Sequence, residues 1–160
     1  MVQQALRDNG TVERKRRVQV VRVEMVKERS AAITINKVSN PQDAAGILTD
    51  FLVGADREHF VVMCLDTKNK VNAINVVSVG VLNSTMVHPR EVFKPAILSN
   101  AASVIVGHNH PSGDPTPSRD DVEIVRRLVE AGKILGIEVL DSLVLGDNGT
   151  FVSFKKEGLL

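Results

Sequence analysis

Residues 102–107, reading A-S-V-I-V-G, form a short, β-branched apolar run, and the fourteen residues that follow read H-N-H-P-S-G-D-P-T-P-S-R-D-D. A run of that length and composition predicts a buried strand, so His108 and His110 leave its C-terminal end. At a spacing of two in extended chain, both imidazoles point to the same side, as two ligands of one ion must. The seven residues between His110 and Ser118 hold three prolines and one glycine. That composition excludes helix and regular strand and makes a stiff connection. Ser118 then supplies a helix N-cap, and Asp121 falls in the first turn, where the helix dipole favours a carboxylate. Strand end, rigid loop and helix start bring two neutral imidazoles and one carboxylate to one point. Two nitrogens and one oxygen suit a tetrahedral Zn²⁺ whose fourth position is open to water, the ligand count of a catalytic zinc site. The plainer alternative, two surface histidines beside an ordinary helix start, leaves the stiff spacer and the S-x-x-D unexplained.

With 160 residues, 43% of them hydrophobic, the chain is long enough for one domain with a real core and short for two. The net charge of +1 creates no whole-protein field for nucleic acid or anionic membrane. Residues 1–30, however, hold eight Lys or Arg against four Asp or Glu. The single cysteine, Cys64, excludes an internal disulfide and reads as a small core residue. No apolar run has the length of a membrane span or the layout of a signal peptide, so the expected compartment is the cytoplasm, with no membrane partner. Oligomeric state is not readable.

Residues 1–13 have no apolar period and read as a loose tail, ending in Arg14-Lys15-Arg16-Arg17. That basic run suits phosphate, but no aromatic precedes Phe51 to stack a base, so nucleic acid is the weaker partner class. Residues 1–17 are therefore assigned to a flexible tail and residues 18–160 to the domain. From Val18 the pattern changes: Val21, Val23 and Met25 alternate with Arg22 and Glu24, which predicts an edge strand. Asn40-Pro41 then predicts a helix start, with Ala44, Ile47, Leu48, Phe51 and Leu52 on one face and Gly54 as the stop. Residues 60–65 and 71–79 read as an antiparallel hairpin. Residues 80–87 form an irregular loop, and a helix follows over residues 90–99 in which Pro95 should end or bend the chain. Val122, Val125, Leu128, Val129 and Leu135 give a long amphipathic helix that stops at Gly136. Residues 138–145 and 151–154 read as strands around the turn Gly146-Asp147-Asn148-Gly149. Helices interleaved with these strands predict an α/β, three-layer domain, a mixed sheet covered on both faces.

H-x-H, seven residues and S-x-x-D together resemble the JAMM (MPN-plus) metalloprotease motif. The stretches REHFVVMCLDTKNKV, LNSTMVHPREVFKPAI and GHNHPSGDPTPSRDD are similar to the RadC branch of that family, over residues 40–154. The resemblance implies an MPN-like fold with cytidine-deaminase-like layering and a zinc-dependent hydrolase of the peptidase or isopeptidase kind, acting on a peptide or protein. It matches His108, His110 and Asp121 to the metal ligands and Ser118 to the motif serine, and it implies an upstream glutamate. Longer RadC-type proteins carry an N-terminal helical region with a DNA-binding-like motif, for which this chain has no room. Ser142 stands where many RadC-like chains carry histidine.

The upstream candidates are Glu58 and Glu91. Glu91 lies in the first turn of a helix, where the dipole already accounts for it. Glu58 opens an interior strand and matches the place of the family's glutamate, so it is assigned as general base. Ser118 is assigned to hydrogen-bond the developing oxyanion. Two rivals fail on residue content. An HNH nuclease spreads its three residues across a hairpin and helix, and a zinc deaminase needs P-C-x-x-C, for which one cysteine is too few. The alternative kept open is a non-catalytic, DNA-associated or DNA-repair accessory module on a RadC-like fold.

Overall fold

The computed structural model describes residues 16–80 and 87–160, and the backbone of two short strands, β1 (Ala5–Leu6) and β2 (Val12–Glu13), which pair antiparallel. That pairing corrects the loose-tail expectation at those positions, where Asn9-Gly10 is itself a hairpin signal in the sequence. The rest of residues 1–15, with Arg14 and Lys15, lies outside the described residues, as does the loop expected over residues 80–87 at positions 81–86.

The main sheet has five strands in the order β4-β3-β5-β6-β7, comprising β3 (His59–Leu65), β4 (Val71–Val79), β5 (Ser103–Asn109), β6 (Glu138–Leu145) and β7 (Phe151–Ser153). Neighbours run antiparallel except β5 and β6, which are parallel and so need a crossover. Helix α3 (Arg119–Leu135) is that crossover; α1 (Pro41–Leu52) and α2 (Pro89–Leu98) complete the helices. Alternation along the strands divides the core in two. Phe60, Val62, Cys64, Val104 and Val106 pack against α2 and α3, while Val61, Met63, Leu65, Ile105 and Leu143 pack against α1. The result is the mixed α/β sheet with helices on both faces that the sequence predicts.

Each helix starts where its cap residue stands. Asn40 accepts from the Asp43 amide at 2.9 Å, and Ser118 accepts from the Asp121 amide at 3.1 Å. Gly136 closes α3 at a φ of +70°, which a β-carbon would strain. Leu48 of α1 is fully buried, and its truncation to alanine would cost about 2–5 kcal/mol. It presses on Gly107, where a β-carbon would stand 2.6 Å from Leu48 Cδ1 and 3.1 Å from the Leu143 carbonyl oxygen. A side chain at Gly107 would displace the Leu48 tip and crowd the Leu143 carbonyl just before His108.

Three expectations are corrected. Residues 16–32 form no strand, and Val18, Val20, Val21 and Val23 are exposed: their alternation records strand propensity, but a strand also needs a ladder partner. Among the described residues the chain after this segment reaches the sheet later, at the start of β4, where Lys37 bridges Lys70 and the Val71 amide donates to the Asn36 carbonyl at 2.8 Å. Of the two outcomes expected of Pro95, an end or a bend, the end does not occur, since α2 continues to Leu98; the ring removes one amide donor, and the turn beyond it closes through the Ser99 amide on the Pro95 carbonyl at 2.9 Å. Leu135 is 47% exposed, because α3 turns Ile124, Val125, Leu128 and Gly132 inward and Leu135 falls off that face.

Candidate metal centre

Strand β5 carries His108 to the end of the sheet and His110 follows one residue past its last position, with the Nε2 atoms 3.0 Å apart. Extended backbone puts both imidazoles on the face covered by α3. His108 is buried and stacks on Phe60 of the neighbouring strand, centroids 5.9 Å apart and planes at 16°. Phe60 is opposite His108 in the ladder, so the stack follows from register. His110 is fixed differently. Its Nδ1 lies 2.7 Å from the Asp114 carbonyl oxygen, which can only accept, so Nδ1 carries the proton and Nε2 presents a lone pair. Asp114 is itself tied down by the Thr116 amide at 2.9 Å and the Thr116 hydroxyl at 2.6 Å, and the loop is braced by the Asp147 amide on the Gly113 carbonyl. Nδ1 of His108 and Oγ of Ser142 are both buried without a protein partner.

From the opposite side comes α3. Asp121 closes a capping box with Ser118, accepting the Ser118 amide on Oδ2 at 2.7 Å. The same carboxylate reaches both histidines, Oδ1 at 3.2 Å from His108 Nε2 and Oδ2 at 3.5 Å from His110 Nε2. Burial pushes the Asp121 carboxyl up, but the hydrogen bond and charge of His108, with the Ser118 amide and hydroxyl, outweigh it and hold it far below the usual carboxylate range. Glu58 enters just ahead of β3, half-buried, with Oε1 3.8 Å from each Nε2. Glu91, the other upstream carboxylate, is exposed and bonded to Lys94 at 2.9 Å.

Glu58, His108 and His110 form a cluster that could hold a metal ion, each offering one ligand atom, all within 4.8 Å of one another. The donors suit zinc in kind, two imidazole nitrogens and carboxylate oxygen. Bonds of about 2.0–2.1 Å in a tetrahedron separate ligand atoms by roughly 3.3 Å. The two Nε2 atoms, 3.0 Å apart, lie near that value; Asp121 approaches them with different oxygens, Oδ1 at 3.2 Å from His108 and Oδ2 at 3.5 Å from His110, and Glu58 Oε1 lies farther, at 3.8 Å from each. All five residues singled out in the sequence therefore stand together: Glu58, His108, His110, Asp121 and, behind Asp121, Ser118. Among the basic run, Arg16 and Arg17 are exposed. No helix among the described residues is long and apolar enough to cross a membrane.

Sequence reasoning missed Asn109. Period two points it away from the histidines' face, and nothing in the letters shows that its side chain bonds main chain on both sides of Glu58.

A five-stranded mixed sheet with three helices and a ligand cluster at one end defines a single α/β domain of the JAB/MPN-like kind. Residues 38–159 match the model of the RadC-like JAB domain, and the chain belongs to that family. It is 56% identical over 134 residues to the UPF0758 protein of Moorella thermoacetica, an alignment covering 82% of this chain and 58% of that protein. It is also similar to the UPF0758 proteins of Desulforamulus reducens, at 54% over 120 residues (75% and 52% covered), and Methanosarcina barkeri, at 48% over 124 residues (78% and 54% covered). The chain thus spans little more than half the length of these relatives.

Proposed function

We propose that this domain is a zinc-dependent hydrolase that cleaves an amide bond, in a peptide or an isopeptide, with His108, His110 and Asp121 as metal ligands. The observation that carries the reading is the meeting of Glu58, at 3.8 Å from both Nε2 atoms, with the tighter His108–His110–Asp121 set. Zinc, when bound, supplies a Lewis acid that lowers the pKa of water to about 7. Glu58 takes the proton of the attacking water and delivers it to the leaving amine; its half-buried place beside the ligand set leaves it free for that work. The Ser118 oxygen accepts the Asp121 amide, and its O–H, which supports the Asp121 carboxylate in the free site, turns to donate to the oxyanion that develops on the carbonyl. The Nδ1–H of His110, donated to the Asp114 carbonyl, fixes the ring so that Nε2 is aimed at the other ligands.

The test compares Glu58→Gln with Glu91→Gln on zinc-loaded protein, using a peptide library and elemental analysis. With zinc in excess Glu58→Gln should still load about one zinc per chain, though with the weaker affinity expected on losing a carboxylate beside the ligands, and lose 10²- to 10⁴-fold in hydrolysis, the usual worth of general-base assistance. Glu91→Gln should match the wild type. A crippled Glu91→Gln would show that the wrong carboxylate was chosen, and unchanged zinc content in both His108→Ala and Asp121→Ala would remove the metal site altogether.

A further inference from the structure

We propose that Asn109 is a positioning residue that holds Glu58 in register with the two histidines, an inference that rests on the reading of Glu58 above. Asn109 sits between His108 and His110 on the opposite pleat of β5, and its side-chain amide is used at both ends. Its Oδ1 accepts the His59 amide at 2.9 Å, and its Nδ2 donates to the Arg57 carbonyl at 3.0 Å. Those groups belong to the residues immediately before and after Glu58. The carbonyl of Glu58 itself accepts the Gly80 amide at 2.8 Å, and the Arg57 carbonyl also receives Nδ1 of His59 at 2.8 Å. The glutamate is thus mounted on a segment fixed from two strands.

The need for such a clamp comes from the sheet. The β3–β5 ladder ends at Phe60 opposite His108, and at the next position the His59 amide is taken by the Asn109 side chain. The ladder thus stops just short of Glu58 and His110, and the Asn109 side chain continues the cross-strand bonding past its end. The task needs one donor and one acceptor on a short planar group. Aspartate lacks the donor, and serine lacks the reach.

Two isolated variants, Asn109→Ala and the near-isosteric Asn109→Leu, test this in the full chain, with thermal unfolding as the check on folding. In metal-free protein, amide exchange followed by NMR should accelerate at His59 by at least about tenfold in both, while the amides of β5 and β6 away from the site stay as they were. In cobalt titrations read by chelator competition, loss of a supporting partner typically costs 10- to 100-fold in affinity. Asn109→Leu should weaken Co²⁺ about as much as Glu58→Gln does, and the double variant should be no weaker than Glu58→Gln alone. Unchanged His59 exchange in both variants, or cobalt effects that multiply in the double variant, would overturn the proposal. A wild type that binds no cobalt yet loses His59 protection on substitution would sink the metal reading and leave the clamp standing.

Discussion

At the scale of single residues, Ser118 carries two assignments that differ in what they ask of the hydroxyl. As N-cap it only accepts, from the Asp121 amide; as oxyanion partner it must donate. Substitution separates them. Ser118→Ala should lose about 1 kcal/mol of stability in chemical denaturation, whereas Ser118→Gly should lose only a few tenths. Both should lose about 10²- to 10³-fold in kcat if the donor acts in the transition state. A glycine variant with wild-type turnover would reduce Ser118 to a cap. Ser118, His108, His110 and Asp121 were legible in the sequence because spacing alone carries their geometry: two positions apart on a strand, three apart at a helix start. Asn109 was not, because its two bonds run to residues 50 and 52 positions away.

At the scale of elements, the β3–β4 hairpin shows how a turn is tied by one carboxylate. Asp66 Oδ1 accepts the Lys68 amide at 2.8 Å and the Lys70 amide at 2.9 Å, and Asn69 takes a φ of +59°. The Lys70 and Lys68 amides hold the Asp66 carboxyl below its ordinary 3.8. Because the folded value is the lower one, the charged form's stabilisation is complete above pH 3.8 and is lost as pH falls through the folded value. The Tm gap between wild type and Asp66→Ala should therefore be constant near neutrality and narrow on acidification below about pH 4. A gap independent of pH would show that the charge contributes nothing. Elements were legible wherever periodicity and a stop signal agreed, as in α1, the hairpin and α3. The expected edge strand over residues 18–25 failed because alternation is a property of one segment and pairing a property of two.

At the scale of the whole molecule, the family match begins at residue 38, and the main sheet and all three helices lie beyond it. Zinc chemistry assigned to that body should not depend on the basic N-terminus. Deleting residues 1–17 should leave zinc stoichiometry unchanged. It should also preserve the rise in Tm with added zinc, about 2.7 kcal/mol of stabilisation at a hundredfold excess over Kd. If the intact chain binds DNA with a steep salt dependence and the truncated one does not, the accessory-module reading gains. By itself the sequence determined the α/β class, the positions of the helices and most strands, and the residues drawn to one site, because each of these is encoded within a dozen neighbouring positions. Only the tertiary structure decided what stacks on His108 and what holds Glu58, the carboxylate chosen over Glu91 in the sequence, beside the histidines. Those depend on the order β4-β3-β5-β6-β7, and strand order is set by the burial of both sheet faces together rather than by any local stretch of chain.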